Sequence, residues 1–432
     1  MAAGTATGVR PGFEFRDGRL HCEDVPVDEL VRRFGTPLYV YSQSVLHDRY
    51  DEVARAFAPV DPLIAYSVKA NGNLSLLRLL AAWGAGADIV SRGELHRARL
   101  AGIPGDRIVF SGVGKTVEEL AAGIEAGLYG FNVESEGELR SLSELAAATG
   151  VLAPAALRVN PDIEASTPHQ YIRTGHAASK FGVPYADARG LYRLGAALPG
   201  LRMAGVDLHI GSQIIDAKPY REAVDRAAEL IGGLRADGIE LEYLDIGGGF
   251  GITYDQAEAP SASDFAVELV PALQAIGLRI VLEPGRFVVG PAGVLLARVL
   301  YIKKTATKTF VITDAGMNDL LRPSHYASYH RVEPAERHAG RDIATVDVVG
   351  PICETGDFLA LGREIERVEP GEVLVVGETG AYGFVMASTY NARPRPAEVL
   401  VAGGEYRLIR RREGLDDLVR GEVEYLDAAR DT

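Results

Sequence analysis

Cysteine is nearly absent from this chain. Two thiols, Cys22 and Cys353, stand far apart in 432 residues. That excludes a disulfide framework and a cysteine-built metal cluster, and no metal is expected; a reducing compartment, the cytoplasm, is the default. Long hydrophobic runs are missing too: no stretch approaches the roughly 18 apolar residues of a membrane span, so no membrane partner is expected. The segment Met1–Pro11 is small and polar and lacks the apolar core of a signal peptide; it reads as a frayed tail. Positive charge is in deficit, with a net charge of −14, which argues against nucleic acid or an anionic membrane as a partner. No low-complexity tract or short repeat is present. What remains is a hydrophobic fraction of 47% and a charged fraction of 24%, the composition of a soluble globular protein. The length suffices for two domains and at least one large core.

Between about residues 60 and 285, short β-rich runs alternate with longer helical ones. The runs Leu63–Val68, Ala87–Val90, Ile108–Ser111, Gly130–Glu134, Ala156–Asn160, Gly205–Ile210, Tyr243–Ile246 and Arg279–Glu283 predict strands. Leu74–Trp83, Arg92–Ala101, Val117–Ala126, Glu136–Ala148 and Tyr220–Ala236 predict helices among the segments between them. Eight such β-then-α repeats predict an α/β fold, a closed (β/α)8 TIM-like barrel; a doubly wound open sheet is the competitor. Polar residues recur just after nearly every strand, which favours the barrel, since its sites lie on that face. After residue 290, Val294–Ile302, Thr309–Thr313, Ile343–Gly350, Glu372–Val376 and Ala397–Val401 predict a mainly antiparallel β-domain. Phe13–Leu20 reads as a hairpin with an Asp-Gly turn, and Pro37–Tyr41 as a further strand. The expected division is 1–42 as an N-terminal segment joining the β-domain, 43–290 as the barrel and 291–432 as the β-domain.

Lys69 follows the apolar run Pro62–Tyr66, where burial disfavours an ammonium group. A lysine there suits a Schiff base with a carbonyl cofactor; the bland reading is a strand-end lysine reaching solvent. Gly247-Gly248-Gly249-Phe250-Gly251 follows the seventh strand, where glycines let backbone N–H groups approach a phosphate. Glu283-Pro284-Gly285-Arg286 follows the eighth. A carboxylate there can hold a pyridine nitrogen protonated, Gly285 and Arg286 can offer N–H groups to the phosphate, and an internal Glu283–Arg286 ion pair is the plain alternative. In His209-Ile210-Gly211-Ser212-Gln213 the histidine can stack on a cofactor ring and the Ser212 hydroxyl can reach a phosphate. Asp88 and Glu94 flank the second strand. Asp88 joins the candidate cofactor-binding set, whereas Glu94 equally suits the first turn of its helix. Arg158, at the end of the fifth strand, is a candidate supporting residue. Cys353-Glu354 can supply a proton donor and an amine ligand, against a buried apolar thiol as the commoner fate. Arg322, Tyr326 and Tyr390 add anion-binding groups.

Taken together, Tyr66-Ser67-Val68-Lys69-Ala70-Asn71, His209–Gln213, Gly247–Gly251, Glu283–Arg286, Cys353-Glu354-Thr355-Gly356-Asp357 and Tyr390-Asn391-Ala392-Arg393-Pro394 resemble the diaminopimelate decarboxylases, pyridoxal-phosphate enzymes of the alanine racemase-like barrel class. The resemblance runs from about Phe13 to Leu418, and Lys180-Phe181-Gly182 fits it. It implies pyridoxal 5'-phosphate as cofactor, Lys69 as the Schiff-base lysine, Glu283 facing the pyridine nitrogen and His209 stacked on the ring. It places Ser212, Gly248, Gly249, Gly285, Arg286 and Tyr390 around the phosphate or its approach. Arg286, Arg322 and Tyr326 would hold the distal carboxylate of an amino-acid substrate and Glu354 its distal amino group, with Cys353 as proton donor. In that family the Cys-Glu pair comes from the partner subunit, which implies a homodimer with shared active sites. The implied reaction is decarboxylation of meso-diaminopimelate at its D-configured centre, giving L-lysine and CO2. The chain departs from the pattern in Glu164–Tyr171, where a residue is inserted near the site entrance, within reach of substrate preference at Ser166–Tyr171. It departs again at Gly414, with no chemical consequence expected. An amino-acid racemase on the same barrel is one rival, opposed by Glu283, since such racemases resemble ones with an arginine at that place. A decarboxylase of ornithine, arginine or a carrier-linked glutamyl group is another, opposed by the two arginines. A non-catalytic regulatory relative is a third, opposed by the presence of Lys69.

Overall fold

The computed structural model describes residues 12–163, 180–255 and 258–426. The tail Met1–Pro11 and the departure at Glu164–Tyr171 lie outside the described residues. The chain forms two compact units. One comprises Asp48–Thr253 and Glu258–Val288, the other Met1–His47, Tyr254–Ala257 and Val289–Thr432.

The first unit is the expected barrel. Its strands are Leu63–Ser67, Gly86–Ile89, Ile108–Phe110, Gly130–Val133, Ala153–Asn160, Leu201–Asp207, Tyr243–Asp245 and Arg279–Leu282. Each pairs in parallel with the next, and Val281 pairs with Leu63 to close the ring. The doubly wound alternative is thereby excluded. A short additional strand, Val183–Pro184, lies in parallel against Val159 and Asn160.

The loops leaving the strands double as helix starts. Side chains of Asn73, Ser91, Thr116, Ser135 and Ser261 each accept a backbone N–H from the first turn of the helix that follows. These bonds satisfy donors that a helix N-terminus leaves open. Thr116 and Ser261 complete reciprocal capping boxes with Glu119 and Asp264. The strands' C-terminal ends therefore face helix N-termini, which sets the polarity of that end of the barrel.

Inside the barrel, Leu63, Ala65, Val109, Ala156, Ala204, Tyr243 and Val281 form one buried cluster. Most of these side chains are small, and the Tyr243 ring fills the space they leave. Gly130 and Gly205 make room for it: a Cβ on Gly205 would stand 2.5 Å from ring carbons of Tyr243. The Tyr129 ring packs on Tyr243 from the other side at 5.1 Å between centroids.

The second unit is the predicted β-domain, and the N-terminal segment is built into it. Leu38–Ser42 pairs antiparallel with Gly293–Lys304 and in parallel with Ala397–Ala402. The hairpin Phe13–Arg16 with Arg19–Cys22 is present. The sheet is mainly antiparallel, but Thr309–Thr313 also runs parallel to Ile343–Val349. Its apolar core gathers Phe13, Leu20, Leu30, Val40, Leu296 and Val399. The buried Tyr41 hydroxyl donates to Glu398 at 2.8 Å, and Glu398 is also bound by Arg410, so the carboxylate's desolvation is offset on two sides. No helix among the described residues is long and apolar enough to cross a membrane.

Replacing Gly205 by alanine should force the Tyr243 ring out of place. The expected loss is ~1–3 kcal/mol, seen as a lower urea midpoint; an unchanged midpoint would show that the ring yields freely.

Candidate active site

Lys69 sits in a single 3-10 turn, Val68–Ala70, directly after the first barrel strand. The Tyr66 hydroxyl donates to the Asn71 carbonyl at 3.1 Å and the Asn73 N–H donates to the Asn71 side chain at 3.0 Å, which fixes the turn. The Lys69 side chain is 30% exposed, and its Nζ donates to the fully buried Asp88 at 2.5 Å. The Ser67 hydroxyl lies between Asp88 Oδ2, at 2.8 Å, and the Glu283 carbonyl, at 3.0 Å. The ends of the first, second and eighth strands are thus tied together by one hydroxyl.

Glu283 follows the eighth strand and is buried. Its Oε1 accepts from the Ser111 hydroxyl at 3.3 Å and from Asn132 Nδ2 at 3.4 Å. Burial pushes its pKa well above the usual carboxylate value, and the neighbouring Asp245, Asp88 and Asp207 add to the effect while Lys69 opposes it. His209 lies against the loop after the seventh strand: a Cβ on Gly247 would stand 2.9 Å from its Nδ1. Desolvation, with the positive charges of Arg158 and Lys69 nearby, pushes its pKa well below 6.5, so the ring is neutral at neutral pH.

The loops after the sixth, seventh and eighth strands pack backbone on backbone. Gly249 has a φ of +95°, and a Cβ there would meet the Gly211 carbonyl at 2.1 Å; one on Gly248 would meet the Glu283 carbonyl at 2.0 Å. Only glycine fits either position. The Ile214 N–H donates to the Gly249 carbonyl at 2.9 Å, and Gln213 bonds Ile252 in both directions. A Cβ on Gly285 would press on Ser67 and Ala70, beside Lys69. Arg286 is buried, and its Nη2 donates to the Ser212 hydroxyl at 3.2 Å. The internal Glu283–Arg286 pair does not form among the described residues. A cradle of glycine backbone with a hydroxyl and a guanidinium alongside fits a phosphate, and a lysine amine at the same barrel end fits a carbonyl cofactor.

Other residues at this end were not assigned from sequence. Glu134 accepts from the N–H groups of Gly112 and Gly182, at 3.0 and 2.9 Å, and from Arg158, at 3.2 Å. Arg158 lies within the fifth strand, and its guanidinium also covers the Phe181 ring at 4.9 Å. Lys115 is 1% exposed and binds Glu138 at 2.6 Å and the Gly112 and Asn132 carbonyls at 2.8 Å. The signal that flagged Asp88 and Glu283, a polar residue at a strand's C-terminal end, also marks Asn132, Glu134, Asp207 and Asp245.

The remaining candidates belong to the second unit. Arg322 is buried; its Nε donates to His330 Nε2 at 3.2 Å and its Nη2 to Ser328 at 3.3 Å. His330 Nδ1 faces the Gly377 carbonyl at 2.8 Å, which assigns the ring proton to Nδ1. The Arg322 guanidinium covers Tyr254 at 5.2 Å and Tyr326 at 6.0 Å. Cys353 is a free, exposed thiol, so the buried alternative is overturned. The loop around it is held by Asp357, which accepts the N–H groups of Met317 and Ile352 at 2.6 Å each. Asn391, in a left-handed conformation with φ 56°, accepts the Cys353 N–H at 2.8 Å. The Tyr390 hydroxyl bonds Glu354, which pushes the phenol's pKa up.

Glu94 accepts the Val90 N–H at 2.8 Å, and burial, despite that bond, pushes its pKa from 4.5 to about 7. Its folded pKa is the higher one, so its contribution to stability is full below about 4.5 and lost as pH rises through about 7. Glu94→Gln should remove that loss and gain roughly 3 kcal/mol over the parent protein above pH 7. Urea midpoints of the cofactor-free protein from pH 5 to pH 8 test this; parallel pH profiles would contradict it.

Comparison with known proteins agrees with this geometry. The pyridoxal binding domain of pyridoxal-dependent decarboxylases matches residues 43–290. The diaminopimelate decarboxylase of Aquifex aeolicus is 49% identical over 415 residues, covering 96% of this chain and 98% of its own. The crystal structure of the Helicobacter pylori diaminopimelate decarboxylase with L-lysine superposes with a TM-score of 0.89 at 41% identity, over 93% of this chain and all of that one. The crystal structure of the m. jannaschii diaminopimelate decarboxylase in complex with L-lysine gives a TM-score of 0.91 at 36% identity, over 96% of this chain and 98% of its own. The lysine, the glycine cradle and the full-length likeness lead to one conclusion: the chain belongs to the diaminopimelate decarboxylase family of pyridoxal-dependent decarboxylases.

Proposed function

We propose that this protein decarboxylates meso-2,6-diaminopimelate to L-lysine and CO2, the last step of lysine biosynthesis, with pyridoxal 5'-phosphate as cofactor. The observation that carries the reading is the presence of Lys69 and Glu283 at one barrel end, beside a glycine cradle of three loops. When bound, the cofactor supplies an electron sink for the pair left on Cα as CO2 departs. Lys69 would hold the cofactor carbonyl through its Nζ. Asp88, which accepts a hydrogen bond from Nζ at 2.5 Å, would orient the amine. Glu283 would hold a proton at the ring nitrogen, and the neutral His209 ring would lie beside the cofactor. Ser212, Gly248, Gly249, Gly285 and Arg286 bind the phosphate, with Tyr390 at its approach.

Substrate selection falls to Arg322, with Tyr326 and Arg286, through the distal carboxylate. Glu354 accepts the distal ammonium, and Cys353 delivers a proton to Cα. These two residues act in the active site of a partner subunit, so the working unit is a homodimer. The domains are 1–42 and 291–432 for the β-domain and 43–290 for the cofactor-binding barrel. The two free thiols support a reducing compartment, the cytoplasm. Glu283 disfavours a racemase, since a carboxylate at the ring nitrogen promotes full delocalisation of the carbanion.

Purified protein with added cofactor should release CO2 and L-lysine in equal amounts from meso-diaminopimelate. Lys69→Ala should lose turnover and the cofactor's visible absorbance together. Cys353→Ala should lower kcat while leaving that absorbance intact. Turnover retained by Lys69→Ala, or CO2 released from ornithine in preference, would defeat the assignment.

A further inference from the structure

Behind Glu283 three carboxyl groups converge. Asp207 ends the sixth barrel strand, Asp245 ends the seventh, and Glu283 follows the eighth; one oxygen from each lies within 4.8 Å of the others. Their exposures are 1%, 0% and 3%. The groups that reach them are neutral. Asn132 Nδ2 stands 3.3 Å from Asp245 Oδ2 and 3.4 Å from Glu283 Oε1. The Gly247 N–H donates to Asp245 Oδ1 at 2.9 Å, and the Ser111 hydroxyl to Glu283 at 3.3 Å. Two buried oxygens in the cluster, Asp207 Oδ1 and Asn132 Oδ1, have no hydrogen-bond partner among the described residues. The cluster is therefore short of donors.

The surrounding charges do not supply them. Lys69 binds Asp88, and Arg158 binds Glu134; among the described residues neither cation forms an ion pair with the triad. The other titratable neighbours are the phenols of Tyr129, Tyr192 and Tyr243, whose pKa values burial raises, and the neutral His209. Three anions at this spacing in a dry interior repel one another strongly. The least costly arrangement keeps a proton within the triad.

We propose that Asp245 shares a proton with Glu283, making the Asp207–Asp245–Glu283 triad a proton store at the barrel centre and Asp245 a positioning residue for the carboxyl that serves the cofactor ring. The last clause rests on the functional reading above; the shared proton does not. In the cofactor-free protein the proton sits on Glu283 and is donated to Asp245. When the ring nitrogen arrives, that proton moves to nitrogen and Glu283 is left as the anion, so no proton need come from solvent. The directions of the pKa shifts agree. Burial lifts all three groups, Asp245 only to about 6 and the other two well above the usual range, so Asp245 is the first to ionise and to accept.

The test is infrared spectroscopy of the cofactor-free protein. At neutral pH we expect the wild-type minus Glu283→Gln difference spectrum to carry the C=O stretch of a buried protonated carboxyl, over and above those of Asp207 and Glu94. Asp245→Asn removes the neighbouring anion and offers an amide donor, so it should lower the pH at which the band disappears by at least one unit, a tenfold change in the ionisation constant. In the cofactor-loaded protein the same substitution should shift the pH dependence of the visible absorbance. A wild-type minus Glu283→Gln difference spectrum without the band, or an unmoved midpoint of that difference band in Asp245→Asn, overturns the proposal. So does a divalent ion in the triad, revealed by a band that appears only after chelation. Should Asp245→Asn fail to fold, the Glu283→Gln spectrum alone still decides whether the proton is there. A normal triad without lysine production would defeat the functional reading and leave the store standing.

Discussion

Desolvation of charge at the C-terminal end of the barrel governs this structure more than any other constraint. Carboxyl groups from the second, sixth and seventh strands and from the residues after the fourth and eighth are all buried from water. Each needs a partner, a donor or a proton. Lys69 answers for Asp88 and Arg158 for Glu134, while Asn132 and Ser111 serve Glu283. The same pairings hold the strand ends in register with one another. The chemistry of the site and the rigidity of its floor thus come from one set of contacts, and neither can be altered alone.

The β-unit solves a related problem with backbone donors. Asp357 is buried, and its two oxygens take the N–H groups of Ile352 and Met317. Gly316 and Gly350 lie so close that a Cβ on either would meet that carboxylate at 2.6 Å. This staple joins the loop carrying Cys353 and Glu354 to the segment that leads into Arg322. The thiol itself stays exposed while its backbone is fixed from beneath. A side chain presented on a fixed loop has little conformational freedom left to lose on binding.

Much of the barrel was legible because alternation and capping agree. The helix predicted over Val117–Ala126 is observed with those bounds, since a capping box opens it and a left-handed glycine, Gly127, closes it. Helices such as Gln43–Ala56 and Ala262–Ile276 were not singled out; the second carries an internal proline, Pro271, that blurs its pattern. That Lys69, Glu283, the glycine loop and Ser212 lie at one barrel end was legible because motif and strand-end position coincide. The pairings of Glu134, Lys115, Asn132, Asp207 and Asp245 were not, because each depends on partners from other strands. Asn132 and Asp245 stand 113 positions apart, and nothing local to either names the other. The exposure of Cys353 was likewise hidden, since it depends on how Asp357 folds its loop.

The strand Leu38–Ser42 has a further consequence, for the order in which the molecule is made. Its four leading residues are apolar or aromatic, and both of its edges are meant to be covered. Tyr41 must wait for Glu398, 357 positions downstream. At roughly 5–20 residues per second, the ribosome takes ~20–70 s to supply it. Throughout that interval the barrel segment emerges and can close on itself, while the N-terminal strand remains an open edge available to any passing chain. Biosynthesis of this protein therefore has a built-in period of exposure at an early strand rather than at its last, and chaperone demand should fall there.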